Sequence, residues 1–206
     1  MLLPQTLLHV YRKGSPPFRT ISSLSDTDAF EVMRELYVEG SVFWERFGRP
    51  AEYLGYRRQV EQRLRTAFVQ SGGSPTDSFP IYMILGHPEW FETVVDPRTV
   101  DTTEVIEIPL EEIPRHEISF TYPDSMTSGD SAERVDPDYF DPDYCGRVLT
   151  LEEVAEIVQA KGLPGAGCTE ISANQPPPYI EAQVWNRAVL IDYLERTGRR
   201  GMITPP

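Results

Sequence analysis

The chain has 206 residues, 40% of them apolar and 11% aromatic, and its 32 Asp and Glu outnumber 19 Lys and Arg for a net charge of −13. That length predicts one domain with enough apolar material for a core, and no apolar run reaches the ~20 residues of a membrane span. The charge argues against a protein that coats nucleic acid, and two cysteines, Cys145 and Cys168, make no disulfide framework.

The opening MLLPQTLLHVYRKG has no basic residue ahead of its apolar part and no small-residue cleavage site. It reads as a first strand over 6–12 rather than a signal peptide, so the expectation is cytoplasmic. SDTDAFEVMRELYVEG reads as a helix: Ser25 caps it, acidic residues crowd its first turn, and Phe30, Met33, Leu36 and Tyr37 recur at helical spacing. A second helix begins near Pro50, a residue suited to the first helical position. Its inner stripe is Tyr53, Tyr56, Val60, Leu64, Ala67 and Phe68, with Arg57, Arg58, Arg63 and Arg65 assigned to the outer face.

FPIYMILG (79–86) reads as a buried strand closed by Gly86. TEVIEIPL (103–110) alternates as a half-buried strand, and HEISFTYP (116–123) alternates too and is expected to pair with it. Residues 123–146, rich in Pro, Asp, Ser and Gly, read as a long acidic loop in which Asp-Pro-Asp-Tyr occurs twice. Asp136, Asp138, Asp141 and Asp143 are hard oxygen donors, but the stretch lacks the glycine turn and terminal glutamate of an EF-hand. His9, His87 and His116 are widely spaced, so no metal is expected. Thr150 with Glu153 is a capping box for a helix that stops at Gly162. YIEAQVW (179–185) is a last strand, and VLIDYLERTG a short closing helix or turn. Strands and helices do not alternate regularly, so the fold class is α+β: one domain over 1–206, a mixed or antiparallel sheet, helices near the N-terminus and one before the last strand.

No glycine-rich nucleotide fingerprint or nucleophile elbow is present. The chemistry that can be read is on strands. Period two puts Tyr179, Glu181, Gln183 and Trp185 on one face of YIEAQVW and Ile180, Ala182 and Val184 on the other. Ser119 and Thr121 share one face of SFTY, with Phe120 and Tyr122 opposite. Each row fits either the polar side of an edge strand or the floor of a site.

SFTYPDSM, RVLTLEEVAEIVQAKGLP and YIEAQVW together resemble a set of uncharacterised bacterial proteins. YIEAQVW also resembles the late catalytic strand of ADP-ribosyltransferase-like proteins, in which Glu or Gln and Glu alternate. That resemblance implies NAD as substrate and three elements. His9 or Arg12 on the first strand would hold NAD. Ser119 and Thr121 would supply hydroxyls on a middle strand. Glu181 would bond the ribose and steady the oxocarbenium ion. It further implies that Gln183 orients the acceptor, where the family usually has Glu, and that Tyr122 or Tyr179 stacks on nicotinamide. The target would be a protein or a small molecule. Bare nucleic acid is disfavoured because residues 71–206 carry nine cations against twenty-four carboxylates. The rival expectation is a non-enzymatic acidic binding or regulatory protein of antitoxin, immunity or inhibitor type, docking a basic partner.

Overall fold

The computed structural model describes residues 2–40, 44–88, 103–122, 124–128, 144–164 and 179–198. In chain order these form β1 (Thr6–Arg12), α1 (Asp26–Leu36), α2 (Pro50–Gln70), β2 (Ile81–Leu85), β3 (Thr103–Pro109), β4 (Ile118–Thr121), α3 (Leu151–Lys161), β5 (Glu181–Val184) and α4 (Arg187–Thr197). A single helical turn, Ser125–Ser128, follows β4. The five strands make one sheet in the order β3-β1-β2-β5-β4, every neighbour antiparallel. The fold is α+β.

Local sequence sets the helix ends. The Ser25 side chain accepts the Asp28 N–H, and Pro50 opens α2. Thr150 and Glu153 exchange both bonds of a capping box, at 3.3 and 2.8 Å. The first helix stops at Leu36, short of Gly40, because Tyr37 already turns to extended backbone. Gly86 closes β2 at φ 76°, with Pro4 2.9 Å from where a Cβ would stand, so no other residue fits that turn.

Strand pairing departs from the sequence expectation at one place. Strand β3 does not pair with β4; it runs the full length of β1, from Thr6↔Pro109 to Arg12↔Thr103, and forms an edge. Strand β4 is taken by β5, with Ser119↔Gln183 and Thr121↔Glu181 as partners. Alternation in each strand favoured an antiparallel partner but did not specify which.

The register gives the sheet two different faces. One carries Leu7, Met83, Ile108, Phe120, Ala182 and Val184, all buried, and is covered by Val154 and Val158 of α3 and Leu190 and Tyr193 of α4. The other carries Tyr82, Ser119, Thr121, Glu181, Gln183 and Trp185. Helix α2 lies over it, with Val60, Leu64 and Phe68 packed on Trp185. The row of β5 therefore sits on an interior strand under a helix, while Ser119 and Thr121 stand on β4, the other edge of the sheet. Most of the acidic loop, including the first Asp-Pro-Asp-Tyr repeat and all of the second but Tyr144, and Cys168 lie outside the described residues; Cys145 is buried.

Candidate functional site

The site is built from the order of donors and acceptors along β5. Trp185 is fully buried and its indole N–H can only donate. It donates to Ser119 Oγ at 2.9 Å. The Ser119 hydroxyl in turn donates a hydrogen bond to Gln183 Oε1, also at 2.9 Å. The carboxamide nitrogen of Gln183 must then face the other way, and it donates to Thr121 Oγ1 at 3.1 Å and to Glu181 Oε1 at 2.9 Å. All three hydrogen-bonding positions of Gln183 used here are filled, although the side chain is fully buried.

Glu181 Oε1 also accepts from the Ser125 hydroxyl at 2.5 Å and the Ser125 N–H at 3.3 Å. The helical turn that places Ser125 is started by Asp124, whose Oδ1 accepts the Met126 N–H. Tyr56 of α2 donates to the Met126 carbonyl at 3.0 Å and holds that turn against the helix. The second oxygen, Glu181 Oε2, has one contact among the described residues, the Tyr179 hydroxyl at 3.4 Å.

This arrangement sets the charge of Glu181. Burial opposes ionisation, the Asp124 carboxylate opposes it further, and the Ser125 and Gln183 donors favour it; the balance leaves the pKa pushed up to about 7. Burial and the two carboxylates hold the Tyr179 phenol well above its ordinary value, so it stays a neutral donor.

A second polar group on α2 faces the same sheet. Glu61 is fully buried and accepts from Arg57 at 2.9 Å. Arg57 also donates to Ser22 Oγ and Tyr53 Oη and lies over the Tyr82 ring, 4.6 Å from its centroid. Burial works against the Arg57 charge, but Tyr53, Glu61 and Tyr82 keep its pKa above the ordinary arginine value. Burial raises the Glu61 carboxyl despite that partner. Glu61 Oε2 and Tyr82 Oη are buried with no hydrogen-bond partner among the described residues. Arg57 therefore faces inward, not outward as its place in an arginine-rich row predicted.

The structure brings five expected residues together, Ser119, Thr121, Glu181 and Gln183 in one network and Tyr179 at its edge. The others lie elsewhere. His9 points to the opposite sheet face, since its neighbour Leu8 pairs with Ile84, which pairs with Glu181. Its ring is tied to the Tyr82 carbonyl at 3.2 Å and to the Phe18 N–H at 3.0 Å, and burial lowers its pKa to about 4, so it is neutral. Arg12, at the end of β1, pairs with Glu35 at 2.6 Å. Tyr122 belongs to the apolar core and meets the Tyr144 ring edge-on at 4.3 Å. Sequence reasoning missed Ser125, Asp124, Arg57, Glu61 and Tyr82. The i,i+4 spacing of Arg57 and Glu61 was the one signal available for that pair.

Among the described residues no group of three or more His, Cys, Asp and Glu could hold a metal, and no helix is long and apolar enough to cross a membrane. Comparison with protein-family models, curated proteins and solved structures finds no match.

Proposed function

We propose that this chain is an ADP-ribosyltransferase-like protein that binds NAD at Glu181 and transfers ADP-ribose to a protein or small-molecule target. The observation that carries the reading is the asymmetry of the Glu181 carboxylate. Three donor contacts, from two residues, fix Oε1, while among the described residues Oε2 has only a long contact from Tyr179. An oriented carboxylate with one lightly engaged oxygen is what a ribose 2′-hydroxyl and a developing oxocarbenium ion require.

In this reading the glycosidic bond between ribose C1′ and the nicotinamide nitrogen breaks, and nicotinamide leaves with the bonding electron pair. The ionised Glu181 offsets the positive charge left on the ribose. A nucleophile of the target then attacks C1′ and loses its proton. Gln183 and Ser125 orient the carboxylate, Ser119 and Thr121 orient Gln183, and the Tyr179 ring lies against the departing nicotinamide. Because Glu181 has a pKa of about 7, activity rises as pH increases through that value.

A second reading has its own observation. Glu181 is 5% exposed and Gln183 fully buried, the condition of a network that pins a core. The working surface is then the acidic exterior, which docks a basic partner as a regulatory or inhibitor protein does. A thermal-shift series with NAD, ADP-ribose and nicotinamide separates the two, because a ligand held only by the folded state raises its melting point. The transferase reading expects NAD to raise it at millimolar concentration. No shift with any of the three, together with salt-sensitive capture of a basic protein, supports the second reading.

A further inference from the structure

Most arginines among the described residues are engaged. Arg12, Arg58, Arg115, Arg147 and Arg196 each reach a carboxylate at 2.5 to 3.0 Å. The guanidiniums of Arg19, Arg34 and Arg187 make no ion pair or hydrogen bond among the described residues. Arg34 stands on the exposed side of α1, but Arg19 and Arg187 line one groove of about 600 Å³. In a chain of net charge −13, leaving two guanidiniums unpaired in one groove is a departure from the pattern of the rest of the molecule.

The groove is shaped by a constrained segment. Phe18 is the one non-glycine residue at positive φ among the described residues, at 56°. It is held there by its N–H bond to His9 Nε2 and by a ring contact at 4.8 Å. This fixes where Arg19 and Thr20 leave the sheet. Across from them, Ser78 offers a hydroxyl with no hydrogen bond among the described residues, and Phe79 and Ile81 supply apolar wall. Asp77 also lines the groove, and its carboxylate accepts the Arg187 backbone N–H at 2.6 Å. The helix start is thus already occupied, and an anion here depends on the two guanidiniums.

We propose that this groove binds a phosphate-bearing small molecule. Arg19 and Arg187 grip the phosphate through their planar donor forks, and the half-buried Phe79 flanks the organic part. The site is separate from Glu181: Ile81 pairs with Val184, at the other end of β5.

Calorimetric titration of the full chain with pyrophosphate and with AMP tests this. At least one probe binds wild type with a dissociation constant of about 1 mM or tighter. Arg19→Glu and Arg187→Glu, which both melt like wild type, each weaken that binding about tenfold or more, and Glu181→Gln leaves it unchanged. The proposal is overturned if neither probe binds wild type, or if both arginine variants bind as wild type does. Loss in Glu181→Gln but not in the arginine variants also overturns it, and assigns the phosphate to the Glu181 site instead.

Discussion

The Trp185 side chain has a single polar atom, and it sets the direction of the Ser119 and Gln183 hydrogen bonds that lead to Glu181. Replacing it with Phe leaves Ser119 Oγ without its donor in a fully buried position, at a cost of about 1–3 kcal/mol that urea denaturation will report. It also frees Gln183 to turn its carbonyl toward Glu181, so the Glu181 pKa should rise further. At Glu181 itself the sign of the pH effect follows from the raised pKa. The unfolded chain ionises near the ordinary value of 4.5 and the folded protein near 7. The contribution of Glu181 is therefore fully present below the lower value and falls away as pH rises through the higher one. Its loss is on the order of 3 kcal/mol. In Glu181→Gln the amide oxygen keeps the Ser125 and Gln183 donors and the amide nitrogen faces Tyr179. Melts at pH steps across this range should show the variant gaining on wild type as pH rises. Parallel curves would contradict the pKa assignment. The four network residues could be read from the chain because their spacing of two survives in any strand. Ser125 could not, because its role depends on a helical turn inside a Pro- and Ser-rich stretch.

At the scale of elements, the information that was local was legible. The Ser25 cap, Pro50 and the Thr150–Glu153 box are each written within a few residues, and each is formed. Thr150→Ala removes one half of that box and should cost about 1 kcal/mol by chemical denaturation. Pairing of β3 with β1 was not legible, because TEVIEIPL, HEISFTYP and YIEAQVW presented similar alternation and the choice among partners rests on long-range packing. Helix α2 misled for a different reason. Its arginines read as a solvated face, yet Arg57 turns inward to satisfy Glu61, which the helical register buries. Arg57→Ala leaves that carboxylate uncompensated and should destabilise by about 3–5 kcal/mol, while Arg57→Met with Glu61→Leu should recover most of the loss. A double variant no more stable than the single one would show that the pair is not what holds α2 to the sheet.

For the whole molecule, the two faces of one sheet divide the labour. The apolar face, packed by α3 and α4, supplies the core, and the opposite face keeps a chain of hydrogen-bonded polar groups beneath α2. Charge is divided too: residues 1–70 hold ten cations against eight carboxylates, and the remainder of the chain holds the acidic excess. The most direct measurement is nicotinamide release from NAD by wild type and Glu181→Gln, across the pH range that brackets about 7. Release by wild type should climb through that pH and fall about a hundredfold or more in a variant that melts normally. Equal release by the two proteins, or none by either, would contradict the transferase reading.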